Sequence, residues 1–257
     1  MRRYGPALGG REGMDPVLLA VAAFGLFFAG IVKGTTGIGY SSCALPFLVP
    51  VVGLQQAIVL IVMPAIMSNV AVAFTAGHFR EIVARFWPMY AATPLGILVG
   101  VAFLSSIDHR VAIALLGFVI VGYALMSLLQ PNLRLSEAWH GTLNAPVGFA
   151  TGLLTGMTGS QVMPLLPYMM ALHLEPNRMI QAINLAVTLT SVFLAGGLLI
   201  SGIMDLTHLG LSLLAVIPAV VGVYLGNRAR ALLPVPLFRR LMLIVLLAIG
   251  LMFVVKG

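Results

Sequence analysis

The chain has 257 residues, 60% of them hydrophobic and only 8% charged, with a net charge of +7. Soluble domains carry roughly a quarter charged residues, so these proportions, with a mean hydropathy of +1.08, exclude a soluble globular protein. They leave an all-α polytopic membrane protein. A pI near 10.2 would suit nucleic acid, but the arginines sit in short connectors between apolar runs, as the positive-inside bias predicts. No nucleic-acid partner is expected; the lipid bilayer is.

In chain order, residues 1–13 read as a polar leader, basic at Arg2, Arg3 and Arg11, with Met14 as a candidate start. The first helix is expected from Pro16 to Val32. It gives way at Gly34 to KGTTGIGYSSCALP, Lys33 to Pro46. Three glycines and four serine or threonine hydroxyls within ten residues make poor spanning material. Non-helical backbone at membrane depth persists only when buried in protein or lining a wet cavity. A short apolar piece, Cys43 to Val52, follows, only about 15 Å long as helix and half a bilayer crossing. Next comes Gln55 to Ala76, with Pro64 as a kink. After the connector GHFREIVAR come Phe86 to Leu104 and Val111 to Leu129, joined by a tight turn. The polar stretch Gln130 to Trp139 divides an N-terminal repeat (14–130) and a connector (131–139) from a C-terminal repeat (140–257).

The second half repeats the plan. Gly141 to Gly156 is interrupted at Thr158 to Gln161, and a short piece runs from Val162 to Leu172. Then come Met179 to Ile200, Leu209 to Gly226 and Leu237 to Val255. Gly30, Gly34 and Gly37 align with Gly152, Gly156 and Gly159 at a constant offset, and Pro46 aligns with Pro167 after a one-residue slip. Gly96 and Gly100 match Gly222 and Gly226, each pair spaced for close helix packing. Five segments per half make the two halves inverted repeats. Arg80, Arg85, Arg134, Arg178, Arg228, Arg230, Arg239 and Arg240 then share one side, the cytoplasm, with both termini outside an inner membrane. Matched interruptions in two halves are the sequence pointer to a transporter's site.

All seven acids lie in connectors or the leader, and the five histidines lie in or beside connectors. No metalloprotease motif or intramembrane carboxylate pair can be drawn. An enzyme is therefore not expected, nor any metal or cofactor, and the single Cys43 makes neither a disulfide nor a multi-cysteine metal site. Lys33 is the one ionisable group against a span. It either snorkels to the headgroups or provides a counter-charge for a bound anion. The matching position is Thr155, which leans toward snorkelling.

Gln181, Asn184, Thr188 and Ser191 share one helical face that must turn inward in lipid, as a cavity wall or as interhelical hydrogen bonds. Asn69 in the corresponding helix is their partner candidate. Free N–H groups at the start of each short helix, with hydroxyls alongside, would form an anion cradle. The candidate substrate-binding residues are Lys33, Thr35, Thr36, Gly37, Gly39, Tyr40, Ser41, Ser42 and Asn69 in the first half. Thr158, Gly159, Ser160, Gln161, Gln181, Asn184 and Thr188 are their counterparts in the second. The competing reading is a membrane scaffold whose interruptions only pack helices.

A duplicated glycine-rich break followed by a short apolar piece and proline, with glycine pairs before each terminal helix, resembles the sulfite exporter TauE/SafE family from about Met14 onward. Its motif reads as glycine-x-glycine-glycine-glycine. Here the copies read Gly37-Ile38-Gly39-Tyr40-Ser41 and Gly159-Ser160-Gln161-Val162. The resemblance implies an inner-membrane permease for small anions: sulfite, sulfonates or related organosulfur compounds. A homodimer is left open as its assembly.

Overall fold

The computed structural model describes residues 16–37, 39–75, 78–129, 134–229 and 235–256. The leader with Arg2, Arg3 and Arg11, the candidate start at Met14, Ile38, the first part of the polar connector and Arg230 lie outside the described residues.

Among the described residues the fold is all-helical. In order come α1 (Pro16–Thr36), α2 (Tyr40–Val52), α3 (Leu54–Thr75), α4 (Phe79–Ser106), α5 (His109–Leu129) and α6 (Glu137–His140). Then follow α7 (Asn144–Thr158), α8 (Leu165–Ala171), α9 (Pro176–Ile200), α10 (Leu206–Leu214), α11 (Val216–Ala229) and α12 (Val235–Lys256). Five stretches are long and apolar enough to cross a membrane: Leu19–Thr36, Phe79–Ser106, His109–Leu129, Pro176–Ile200 and Leu206–Ala229. Trp87, Leu95, Phe103, Phe118 and Ile217 stand exposed on the outer faces, a belt that only lipid would cover without penalty.

Three differences from the sequence expectation have a local reason. The first helix does not stop at Gly34 but runs to Thr36. Gly34 is a packing glycine: a β-carbon there would sit 2.3 Å from the Val223 carbonyl oxygen. The connector before α4 is mostly helix, because Ile82 and Phe86 stack one turn apart into the core while Glu81 and Arg85 stay outside. The expected single run from Leu209 to Gly226 is two helices meeting at Ala215. Pro218 has no N–H and its ring crowds the carbonyl four residues back, at Leu214.

The bundle is tied across the two halves of the chain. The most extensive helix pairs are α4 with α7 and α1 with α11, followed by α5 with α12 and α3 with α9. Each unites an early helix with a late one. Glycines set the closest approaches, as small residues do where apolar area alone cannot drive helices together in lipid. A β-carbon at Gly96 would lie 2.1 Å from the Phe149 carbonyl, and one at Gly152 would lie 2.2 Å from that of Thr93. Gly30 meets Ala219 and Gly222, and Gly34, one turn on, meets Val223 and Gly226. Contacts that advance together mean that α1 and α11 run parallel. Likewise Gly148 meets Met89 and Gly152 meets Thr93, so α7 runs parallel to α4.

Candidate functional site

Gly37 and Gly39 separate α1 from α2 with φ of 84° and 87°. Side chains with a β-carbon resist this left-handed region, so glycine is what lets the backbone turn here. The turn places Tyr40, Ser41 and Ser42 on the first turn of α2, all buried, with no side chain capping their amides.

The second interruption is built differently. Gly159 closes α7 in the left-handed conformation with its N–H on the Thr155 carbonyl at 2.7 Å. The Thr158 hydroxyl accepts from the Ser160 N–H at 3.2 Å, and that of Thr155, which donates to the Thr151 carbonyl at 2.7 Å, lies 3.2 Å from the Ser160 carbonyl. The chain then runs without helix until α8 begins at Leu165, past Gln161 and capped by Pro164. Ser160 and Gln161 thus belong to a loop, and the expected second cradle at a helix N-terminus is not formed.

The two interruptions meet. Ser42 Oγ and Ser160 Oγ lie 2.8 Å apart. Beside them is a small cavity of about 30 Å³, lined on its polar side by Lys33, Tyr40, Ser41, Ser42, Asn69 and Gln161 and by the Gly39 backbone. Val162, Leu165, Leu166, Ile183 and Val187 form the apolar side. That volume suits about one or two water-sized groups.

Lys33 points into this cavity. It is 4% exposed and its Nζ donates to Asn69 Oδ1, while Asn69 Nδ2 donates to the Ala65 carbonyl at 2.6 Å. The snorkelling reading is therefore corrected: the amine faces the protein interior. No acid is among the lining residues.

Seven of the residues singled out from sequence converge here, namely Lys33, Gly39, Tyr40, Ser41, Ser42, Asn69 and Gln161. Ser160 joins through its bond to Ser42. Others lie off the cavity. The Thr35 and Thr36 hydroxyls donate to the Val32 carbonyl at 2.9 and 2.8 Å, bound to the turn behind them. Gly37 faces open space, Thr158 braces its loop, and Gly159 packs on Ile58 and Leu45.

The face of α9 carrying Gln181, Asn184 and Ser191 is buried, as membrane depth demands, with Thr188 half-buried. Asn184 and Thr188 donate back along their own helix, to the Ile180 carbonyl at 2.9 Å and the Asn184 carbonyl at 2.7 Å. What α9 shows the cavity is apolar, Ile183 and Val187. Asn69, expected opposite that polar face, is the partner of Lys33 instead. Ser191 reaches the site, accepting from Gln161 Nε2 at 2.8 Å. Sequence reasoning missed the five apolar lining residues because nothing in composition separates them from ordinary core.

A helical bundle with several spans, whose two interruptions meet beside a buried cavity holding Lys33, has the form of a multi-pass membrane protein. The sequence matches the family described as sulfite exporter TauE/SafE over residues 22–253, and the chain belongs to that family. No curated protein and no solved structure shows significant similarity to it.

Proposed function

We propose that this protein is an inner-membrane permease that moves small anions, sulfite or short organosulfur anions, through the cavity between its two helix interruptions. One observation carries the reading: Lys33 is buried at that cavity with a neutral amide as its partner and no acid among the lining residues. A buried charge without a counter-charge is costly, and a bound anion supplies one. The Ser41 and Tyr40 hydroxyls and the uncapped first turn of α2, 13 residues long, add donors on the same side.

The parallel pairing of α1 with α11 and of α4 with α7 is the exchange expected of two inverted copies that each lend a helix to the other. In that arrangement the interruptions enter from opposite sides and touch at Ser42 and Ser160. The scaffold reading accounts for the glycine contacts but leaves Lys33 buried to no purpose.

Flux of radiolabelled sulfite into proteoliposomes tests the proposal. Uptake above that of empty vesicles, abolished by Lys33→Met, is expected. Equal uptake with and without protein, for sulfite and for short sulfonates, would sink the assignment.

A further inference from the structure

The polar wall of the cavity holds an acceptor without a partner among the described residues. Gln161 is 4% exposed and its Nε2 donates to Ser191 Oγ at 2.8 Å. The Ser191 hydroxyl has a single proton, and it goes to the Val187 carbonyl at 2.8 Å. With that proton on Val187, Ser191 accepts from Gln161, and the amide faces Ser191 with its nitrogen. Its other end, Gln161 Oε1, is buried and has no hydrogen-bond partner among the described residues. The Tyr40 hydroxyl, 3% exposed on the same cavity, has none either.

The Lys33 side is fixed by the same logic. Asn69 gives its amide hydrogen to Ala65 and offers its oxygen to Lys33. One ammonium proton is used and two remain. The cavity thus presents one amine with protons to give, hydroxyls that can donate, and one amide oxygen that accepts. Binding an anion that leaves this acceptor unsatisfied carries its desolvation cost. An anion oxygen placed against it would add repulsion.

We propose that the site selects a small monoanion that still carries a hydrogen-bond donor, its charge on Lys33 and its O–H or N–H on Gln161 Oε1. The inference rests on the anion-permease reading and sharpens it. Hydrogen sulfite and hydroxyalkanesulfonates qualify. Sulfate and fully deprotonated sulfite do not, because Lys33 balances one charge and the amide oxygen opposes the second.

Two matched pairs of probes test this on the purified full-length protein, by direct calorimetric binding. The small pair is sulfite at mildly acidic pH, where it is mostly hydrogen sulfite, against methanesulfonate. The larger pair is isethionate against propanesulfonate, in which a methyl replaces the hydroxyl. In each pair that binds, the donor-bearing anion should win by about tenfold or more, the effect of one satisfied buried acceptor. Gln161→Met, which keeps length and removes the acceptor, should erase the preference by weakening the donor-bearing anion alone. A melting curve on the same sample guards against misfolding. Equal binding within the pairs by the parent protein, or a preference that survives in Gln161→Met, overturns the donor requirement and leaves the anion site standing. Binding of none of the four anions overturns both.

Discussion

Ser42 on the first turn of α2 and Ser160 in the loop after α7 are 118 positions apart in sequence, yet their hydroxyls lie 2.8 Å from each other. This bond is the point where the two interruptions of the chain touch. Their sequence neighbours Ser41 and Gln161 line the cavity, as does Ser42 itself.

Breaking this bond from one side leaves the other hydroxyl buried and unpaired. Ser160→Ala should lower stability by about 1 kcal/mol, the usual net worth of such a bond, and weaken anion binding. Ser41→Ala should weaken binding with almost no change in melting temperature. Detergent-phase melting curves with and without sulfite separate the two effects.

Lys33→Met should abolish anion binding while leaving the protein as stable or more so. The parent side chain is buried beside a neutral amide, and replacing an uncompensated buried charge by an apolar chain of similar length is often neutral or favourable. A large drop in melting temperature, with binding retained, would show that the lysine serves the fold.

The glycines divide by what surrounds them. Gly152→Ala would set a β-carbon 2.2 Å from the Thr93 carbonyl oxygen, a rigid backbone atom, so it should cost about 1–3 kcal/mol by overpacking. Gly196 in α9 meets open space and has ordinary helical φ, so Gly196→Ala should be neutral or stabilise by up to about 1 kcal/mol. Thermal denaturation of the two variants side by side decides.

Asp205 caps α10, accepting from the His208 N–H at 2.8 Å. That backbone bond, with smaller help from the imidazole, holds its carboxyl below the ordinary carboxylate range. A depressed folded-state value means that the ionised form stabilises the fold. The contribution is present above the unfolded carboxylate's titration and is lost as pH falls through the folded one. Asp205→Ala should therefore lower the melting temperature at neutral pH, with the difference from the parent shrinking in acid. A difference that does not change with pH would show that the cap contributes through packing alone.

Cysteines at Arg134 and Asp108, in a Cys43→Ser background, should label from opposite sides of intact cells. The connectors rich in arginine face the cytoplasm if the two halves are inverted. Labelling of both from one side would contradict that topology.

The sequence alone determined the class of molecule and where its helices are interrupted. An apolar chain with charges confined to connectors can satisfy its backbone in lipid only as helices or as a closed barrel, and long apolar runs without alternation select helices, so the all-α polytopic fold follows from composition and pattern. Glycine and hydroxyl clusters in runs that should have stayed apolar marked Gly37–Ser42 and Gly159–Gln161 as the interruptions, and both reach the cavity. Three-dimensional contacts decided the rest. Gly34 looked like a helix breaker, but glycine serves both for turns and for close packing, and only Gly226 opposite it tells which. Thr35 and Thr36 carry the same hydroxyls as Ser41 and Ser42, and only the turn at Gly37 and Gly39 determines which pair faces the cavity. Lys33 could reach headgroups or the interior from the same position. Its direction is set by Asn69, a partner 36 residues away on another helix. Periodicity says which residues share a face; what that face meets depends on chain segments far away in sequence, and the hydrogen-bonding state of Lys33 and Gln161 exists only once those segments have come together.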